Sequence, residues 1–140
     1  MDKIALQAEL INWMGGQNYT IFTTLSFNGD TSLNAATTKL KDLHARLDRL
    51  ALGPRWQKLD EQRIRSISFA QNISSNLHFH TLLHAPKSKD KIFQALPDVW
   101  EEIVAAGDAD IKLIHSTPLR LYGYCSRQMH ESDYILDGRT

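Results

Sequence analysis

A chain of 140 residues with 42% hydrophobic and 23% charged side chains has the size and apolar content of one folded domain, and it is too apolar to be a disordered segment. Sixteen basic residues balance sixteen acidic ones, which excludes a bulk cationic coat for nucleic acid but leaves room for a local basic groove. The single cysteine, Cys125, has no partner for an internal disulfide and suits a reducing compartment. The N-terminal residues lack the basic-then-apolar pattern of a secretion signal, and no apolar run approaches the roughly 18 residues a membrane span needs. These features predict a cytoplasmic protein of one domain, residues 1–140, with no membrane partner.

Taken in chain order, residues 2–14 read as an amphipathic helix, with Leu6, Leu10, Trp13 and Met14 at helical spacing and Gly15-Gly16 as its stop. Residues 19–27 are β-branched and aromatic, hence a strand, which Asn28-Gly29-Asp30 ends. Thr31 or Ser32 caps a long helix over about 32–52 whose apolar stripe is Leu33, Leu40, Leu43, Leu47 and Leu50, closed by Gly53-Pro54. Lys39, Lys41, Arg46 and Arg49 read as its solvated face, and His44 as a surface or boundary residue. Residues 55–62 are a polar connector around Trp56.

Residues 63–71 form the next strand, and the turn-like run 72–76 returns the chain into a strand over 76–84, so the two make an antiparallel hairpin. Residues 89–106 are helical with a stripe from Ile92 to Val104, and Pro97 predicts a break or a kink near Leu96, a break giving two short helices. A short strand follows at 110–115. Thr117-Pro118 then opens a helix from Leu119 to about Met129, and 131–140 is a mostly polar tail. The order of elements predicts an α+β fold with a ferredoxin-like β-α-β-β-α-β core and an antiparallel sheet. An extra helix precedes the core, helices cover one face, and a C-terminal catalytic helix packs near the open face.

Three features carry chemistry. In the strand 76–84, His78 and His80 point to one face, about 7 Å apart along the chain, and Phe79 to the other. Two imidazoles on a rigid strand can hold a metal ion, and structural histidines are the competing reading. Gln71, at the end of the partner strand, returns near His78 and offers an oxygen, and oxygen with imidazole suits Mg²⁺, Mn²⁺ or a related divalent ion. A polar residue bonded to its own turn explains Gln71 equally well. In the last helix Tyr124 and Arg127 are three residues apart and share a face. A phenol, with a pKa of about 10, is a weak nucleophile at neutral pH. A neighbouring cation favours its phenolate, and a metal polarises the phosphodiester it attacks. Tyr122 is the rival nucleophile and cannot face the same way as Tyr124 on a helix; aromatic packing is the ordinary use of both.

These residues resemble the HUH endonuclease superfamily, specifically the single-tyrosine rolling-circle replication initiators of plasmids and single-stranded DNA phages. The resemblance covers about residues 19–130. Phe22-Thr23-Thr24-Leu25-Ser26-Phe27-Asn28 resembles the family's first strand motif. Leu77-His78-Phe79-His80-Thr81-Leu82-Leu83 resembles its metal motif, and Tyr124-Cys125-Ser126-Arg127 its Tyr-x-x-Lys motif. The resemblance implies that His78, His80 and Gln71 bind a divalent metal ion, Mn²⁺ or Mg²⁺. It implies that Tyr124 attacks the scissile phosphate of single-stranded DNA or an origin hairpin, giving a 5′-phosphotyrosine and a free 3′-hydroxyl. Arg127 falls at the family's lysine, a planar fork in place of a compact ammonium, and Gln71 falls where a glutamate or other polar ligand is usual. With no helicase segment in these residues, a separate host or plasmid helicase is the expected partner. A relaxase or small transposase of the same superfamily, and a non-catalytic ferredoxin-like nucleic-acid-binding module, are the alternatives. Arg63, Arg65, Lys87, Lys89 and Lys91 flank the hairpin as candidate phosphate contacts, while His84 reads as a supporting or structural residue.

Overall fold

The computed structural model describes residues 2–115, 118–127 and 134–138. Its centre is a five-stranded antiparallel sheet in the order β4-β1-β3-β2-β5. The strands are β1 (Ile21–Ser26), β2 (Arg65–Gln71), β3 (His78–His84), β4 (Asp108–Leu113) and β5 (Ile135–Leu136). The four helices are α1 (Lys3–Gly15), α2 (Leu33–Leu52), α3 (Lys89–Ile103) and α4 (Pro118–Ser126).

Alternation along the strands sorts the side chains into two cores. Ile21 and Leu25 of β1 and Phe79 and Leu83 of β3 face α2 and α3, where they meet Leu40, Leu43, Leu47, Leu96 and Trp100. The opposite face carries Ile67 and Phe69 of β2 and Leu82 of β3. These pack with Leu10 and Met14 of α1 and Tyr122 and Cys125 of α4. Helices therefore cover both faces. The expectation of helices on one face fails because α1, read from sequence as an appendage, supplies the second cover together with α4. Its stripe is also narrower than predicted: Leu10 and Met14 are buried, but Leu6 and Trp13 are 47% and 42% exposed. Gln7 Nε2 ties the two covering helices by donating to Ser126 Oγ at 2.9 Å.

Three other expectations are corrected. Helix α3 runs unbroken through Pro97, because Ile92, Leu96, Trp100 and Ile103 are all buried on the sheet and packing outweighs the backbone bond that proline cannot make. Strand β4 begins two residues before the expected start, since Ser26 pairs with Asp108 and the ladder to β1 sets the ends. The tail contains a strand: Ile135–Leu136 pairs with Ile67 and Ser68. No helix among the described residues is long and apolar enough to cross a membrane.

The β2–β3 connection places both histidines. Asn72 and Asn76 adopt positive φ of 54° and 55°, a conformation asparagine tolerates better than most residues, and Ser75 N–H donates to the Asn72 carbonyl at 3.0 Å. The resulting register pairs Gln71 with His78 and Phe69 with His80.

Candidate active site around His78, His80 and Tyr124

His80 lies near the middle of the sheet, opposite Thr24 of β1 and Phe69 of β2. It is 3% exposed, and Phe22 packs against it with ring centroids 5.6 Å apart. His78, two residues earlier, shares its face, and the two imidazoles meet edge to face at 5.0 Å between centroids. Helix α4 brings Tyr124 against His80, with ring centroids 5.1 Å apart. The Arg127 guanidinium sits 4.5 Å from the centre of the Tyr124 ring, an attractive cation–π contact. Residues separated by more than forty positions in the chain thus converge on one patch of the sheet.

The hydrogen bonds fix how the imidazoles present themselves. His78 Nδ1 is 3.3 Å from the Asn76 carbonyl. A carbonyl only accepts, so Nδ1 is the donor to it and Nε2 is the ring nitrogen turned to the rest of the site. His80 Nδ1 is 3.2 Å from Thr24 Oγ1, and His80 Nε2 is buried with no hydrogen-bond partner among the described residues. Burial, then the neighbouring His78 and the Arg127 charge, push the His80 pKa down to about 4, so at neutral pH the ring is an uncharged donor. An orphaned buried nitrogen is costly unless something else meets it. A divalent ion fits that need, and bonding of the second ring nitrogen to a carbonyl or hydroxyl is how metal-binding histidines are usually oriented.

Gln71 is fully buried, and both ends of its amide are engaged. Nε2 donates to the Cys125 carbonyl at 3.1 Å, and Arg127 donates to Oε1 at 3.5 Å. The oxygen expected as a third ligand is therefore shared with Arg127. Among the described residues no three His, Cys, Asp or Glu side chains come together as a metal cluster, so the donors available here are the two imidazoles and this amide oxygen.

The two tyrosines separate clearly. Tyr122 is 3% exposed, packs edge to face on Tyr19, and has its pKa raised by burial and then by Cys125. Tyr124 is 46% exposed and lies against His80. Cys125, the residue after Tyr124, is buried with its pKa pushed up to about 12 by burial, which leaves an inert thiol at neutral pH.

Other sequence-based candidates go elsewhere. His84 Nδ1 donates to the Asn18 carbonyl at 3.1 Å at the far end of β3. His44 is buried, contrary to expectation: its Nε2 lies 2.7 Å from Ser66 Oγ and its Nδ1 3.8 Å from Asp48. Arg63 is committed to Asp48 at 2.9 Å and stacks on Trp56 at 4.9 Å. The helix expected to reach Met129 extends outside the described residues.

Sequence reasoning missed Thr24, which contacts His80, and a groove beside Tyr124 lined by Phe22, Lys112, Ile114, Arg120 and Leu121. Alternation in β1 puts Phe22 and Thr24 on one face, but only the strand pairing brings His80 and Lys112 to them. The chain has no match among protein-family models, curated proteins or solved structures.

Proposed function

We propose that the protein is a metal-dependent, site-specific endonuclease that nicks and rejoins single-stranded DNA through Tyr124, and that it initiates rolling-circle replication. The observation that carries the reading is the meeting of Tyr124, with Arg127 on its ring, and His80, which touches His78 and whose Nε2 is buried with no hydrogen-bond partner among the described residues. The resemblance of the three motifs to HUH endonucleases supports it. So does the path β1-α2-β2-β3-α3-β4 with β1 and β3 adjacent at the centre, which fits a ferredoxin-like core.

In this reading His78 and His80 hold Mn²⁺ or Mg²⁺, with the Gln71 oxygen as a third donor in competition with Arg127. When bound, the ion polarises the scissile phosphate as a Lewis acid. The Tyr124 oxygen forms a bond to phosphorus and the bond from phosphorus to the 3′-oxygen breaks. The proton lost by the phenol is balanced by the one gained at the new 3′-hydroxyl. The 5′-phosphotyrosine ester retains the bond energy, so attack by a 3′-hydroxyl reverses the step and rejoins DNA. Arg127 favours the phenolate electrostatically and can pair with phosphate oxygens, but it serves poorly as a proton donor. Tyr122 supports the core. Initiation would take place in the cytoplasm on an origin hairpin, with unwinding by a separate helicase. A relaxase or transposase would share the same chemistry and differ in whether two ends are joined.

The test is incubation with single-stranded and hairpin oligonucleotides and Mn²⁺ or Mg²⁺, followed by a denaturing gel for a covalent adduct. Wild type and Tyr122→Phe should form it, and Tyr124→Phe should lose it entirely. An adduct that survives Tyr124→Phe overturns the assignment. If His78→Ala and His80→Ala leave stabilisation by divalent ions unchanged, a non-catalytic binding module takes its place.

A further inference from the structure

The groove beside Tyr124 has a volume of about 510 Å³, within the size range of small-ligand sites. It lies between the sheet and α4. On the sheet side Phe22 and Lys112 are directly paired across β1 and β4, and Ile114 follows on the same face. On the helix side Arg120 and Leu121 lie four and three residues before Tyr124, so each neighbours it on the surface of α4. The walls are thus mainly aromatic and aliphatic, each carries one exposed cation, and the exposed imidazole of His115 adds a polar group just after β4. Lys112 is 68% exposed and its only ion pair among the described residues is a long one, 3.8 Å to an equally exposed Asp110, weak enough to yield to another anion. Among the described residues no carboxylate lines the groove.

We infer that this groove seats one unpaired nucleotide of single-stranded DNA, the one adjoining the phosphate at Tyr124. Its base would lie between Phe22 and the apolar face of α4, and its backbone phosphates against Lys112 and Arg120. An apolar slot flanked by cations on opposite walls matches the two-part chemistry of a nucleotide, a flat π-face carried on an anionic chain. It also answers how a chain with no net charge holds DNA: through a few cations gathered at one groove. The inference rests on the proposed nicking reading for its substrate but not for its geometry.

The test is a methyl NMR titration of the wild-type chain with short mixed-sequence single-stranded DNA and with an abasic deoxyribose-phosphate chain of equal length. The Ile114 and Leu121 methyl signals should move with the DNA, and the abasic chain should bind roughly tenfold more weakly, as expected for loss of one stacked base. Lys112→Ala and Arg120→Ala, both at exposed positions, should each lower the slope of log affinity against log salt by about 0.7, one single-strand phosphate contact apiece. Equal shifts with both probes would mean a phosphate site only and overturn the base pocket. Silent Ile114 and Leu121 signals from a protein that still forms the tyrosine adduct would overturn the groove and leave the nicking reading intact. Groove binding with salt slopes as expected but no adduct on any strand would keep the nucleotide site and remove the nicking reading.

Discussion

At the scale of single residues, Gln71 links the sheet to the tyrosine helix. Its Nε2 donates to the Cys125 carbonyl, one of the last-turn carbonyls that a short helix cannot satisfy from within. Its Oε1 holds Arg127, which in turn lies on Tyr124. Gln71→Leu keeps the volume and removes both bonds. It should cost about 1–3 kcal/mol in denaturant unfolding, the penalty for an unmet buried polar group. It should also speed amide hydrogen exchange in α4 more than in β2 or β3. Unchanged stability would mean that α4 is held by its apolar contacts alone. Both effects follow from where the amide points, and strand spacing did not contain that information: it put Gln71 beside His78 correctly but left the donor and acceptor partners open.

At the scale of elements, the hairpin β2–β3 and the strand β1 carry the site, and α3 fixes the depth at which β1 sits. Trp100 Nε1 donates to the Ser26 carbonyl at 3.0 Å, at the end of β1. Gly107, just before β4, lets the backbone pass this junction. A Cβ there would fall 2.5 Å from the Ser26 carbonyl oxygen and 2.8 Å from Val104. The nearest obstacle is backbone, so it cannot rotate away. Gly107→Ala should therefore destabilise by about 1–3 kcal/mol, measured as a lower denaturant midpoint with an unchanged slope. It should also disturb the β1–β4 pairing that forms the floor of the nucleotide groove. The helices and strands themselves were legible from apolar spacing, because the core-facing stripes of α2 and α3 are continuous. The exceptions are instructive. Pro97 signalled a break that the four buried residues of α3 override, and Ile135–Leu136 is too short to show a period.

At the scale of the molecule, a buried polar network fastens β5 and α2 to β2, away from the histidine face. Asp48 of α2 accepts from the Ile64 N–H at 2.8 Å and from Arg63 at 2.9 Å, and His44 reaches Ser66. Asp137, after β5, accepts from the Ser66 N–H at 2.9 Å and donates its own N–H to the Ser66 carbonyl at 2.8 Å. Burial alone would raise the Asp48 pKa. Its neighbours His44, the Ile64 N–H and Arg63 together outweigh that and hold the carboxyl below its ordinary value. A lowered folded pKa means the unfolded chain binds the proton first as pH falls. The stabilisation by Asp48 is thus complete above about pH 4, the ordinary carboxylate value, and is lost as pH falls through the lower folded value. Asp48→Asn should cost about 2–3 kcal/mol at neutral pH by leaving Arg63 poorly paired, and should flatten the acid limb of a stability-against-pH curve. An acid limb as steep as in wild type would place the titrating carboxylate elsewhere.

The sequence alone determined the longer elements, the histidine pair on one strand face and the three-residue spacing that sets Arg127 beside Tyr124, because each depends only on the local period of two or 3.6 residues. Tertiary structure decided what those periods leave open. Packing on Tyr19 buries Tyr122 and leaves Tyr124 beside His80, and the hydrogen bonds of Asn76 and Thr24 orient the two imidazoles. The second core, in which α1 and α4 pack on the sheet, brings the first and fourth helices together. Pairing of β4 with β1 brings Lys112 to Phe22 and opens the groove. These depend on contacts between residues far apart in the chain, which no local pattern specifies.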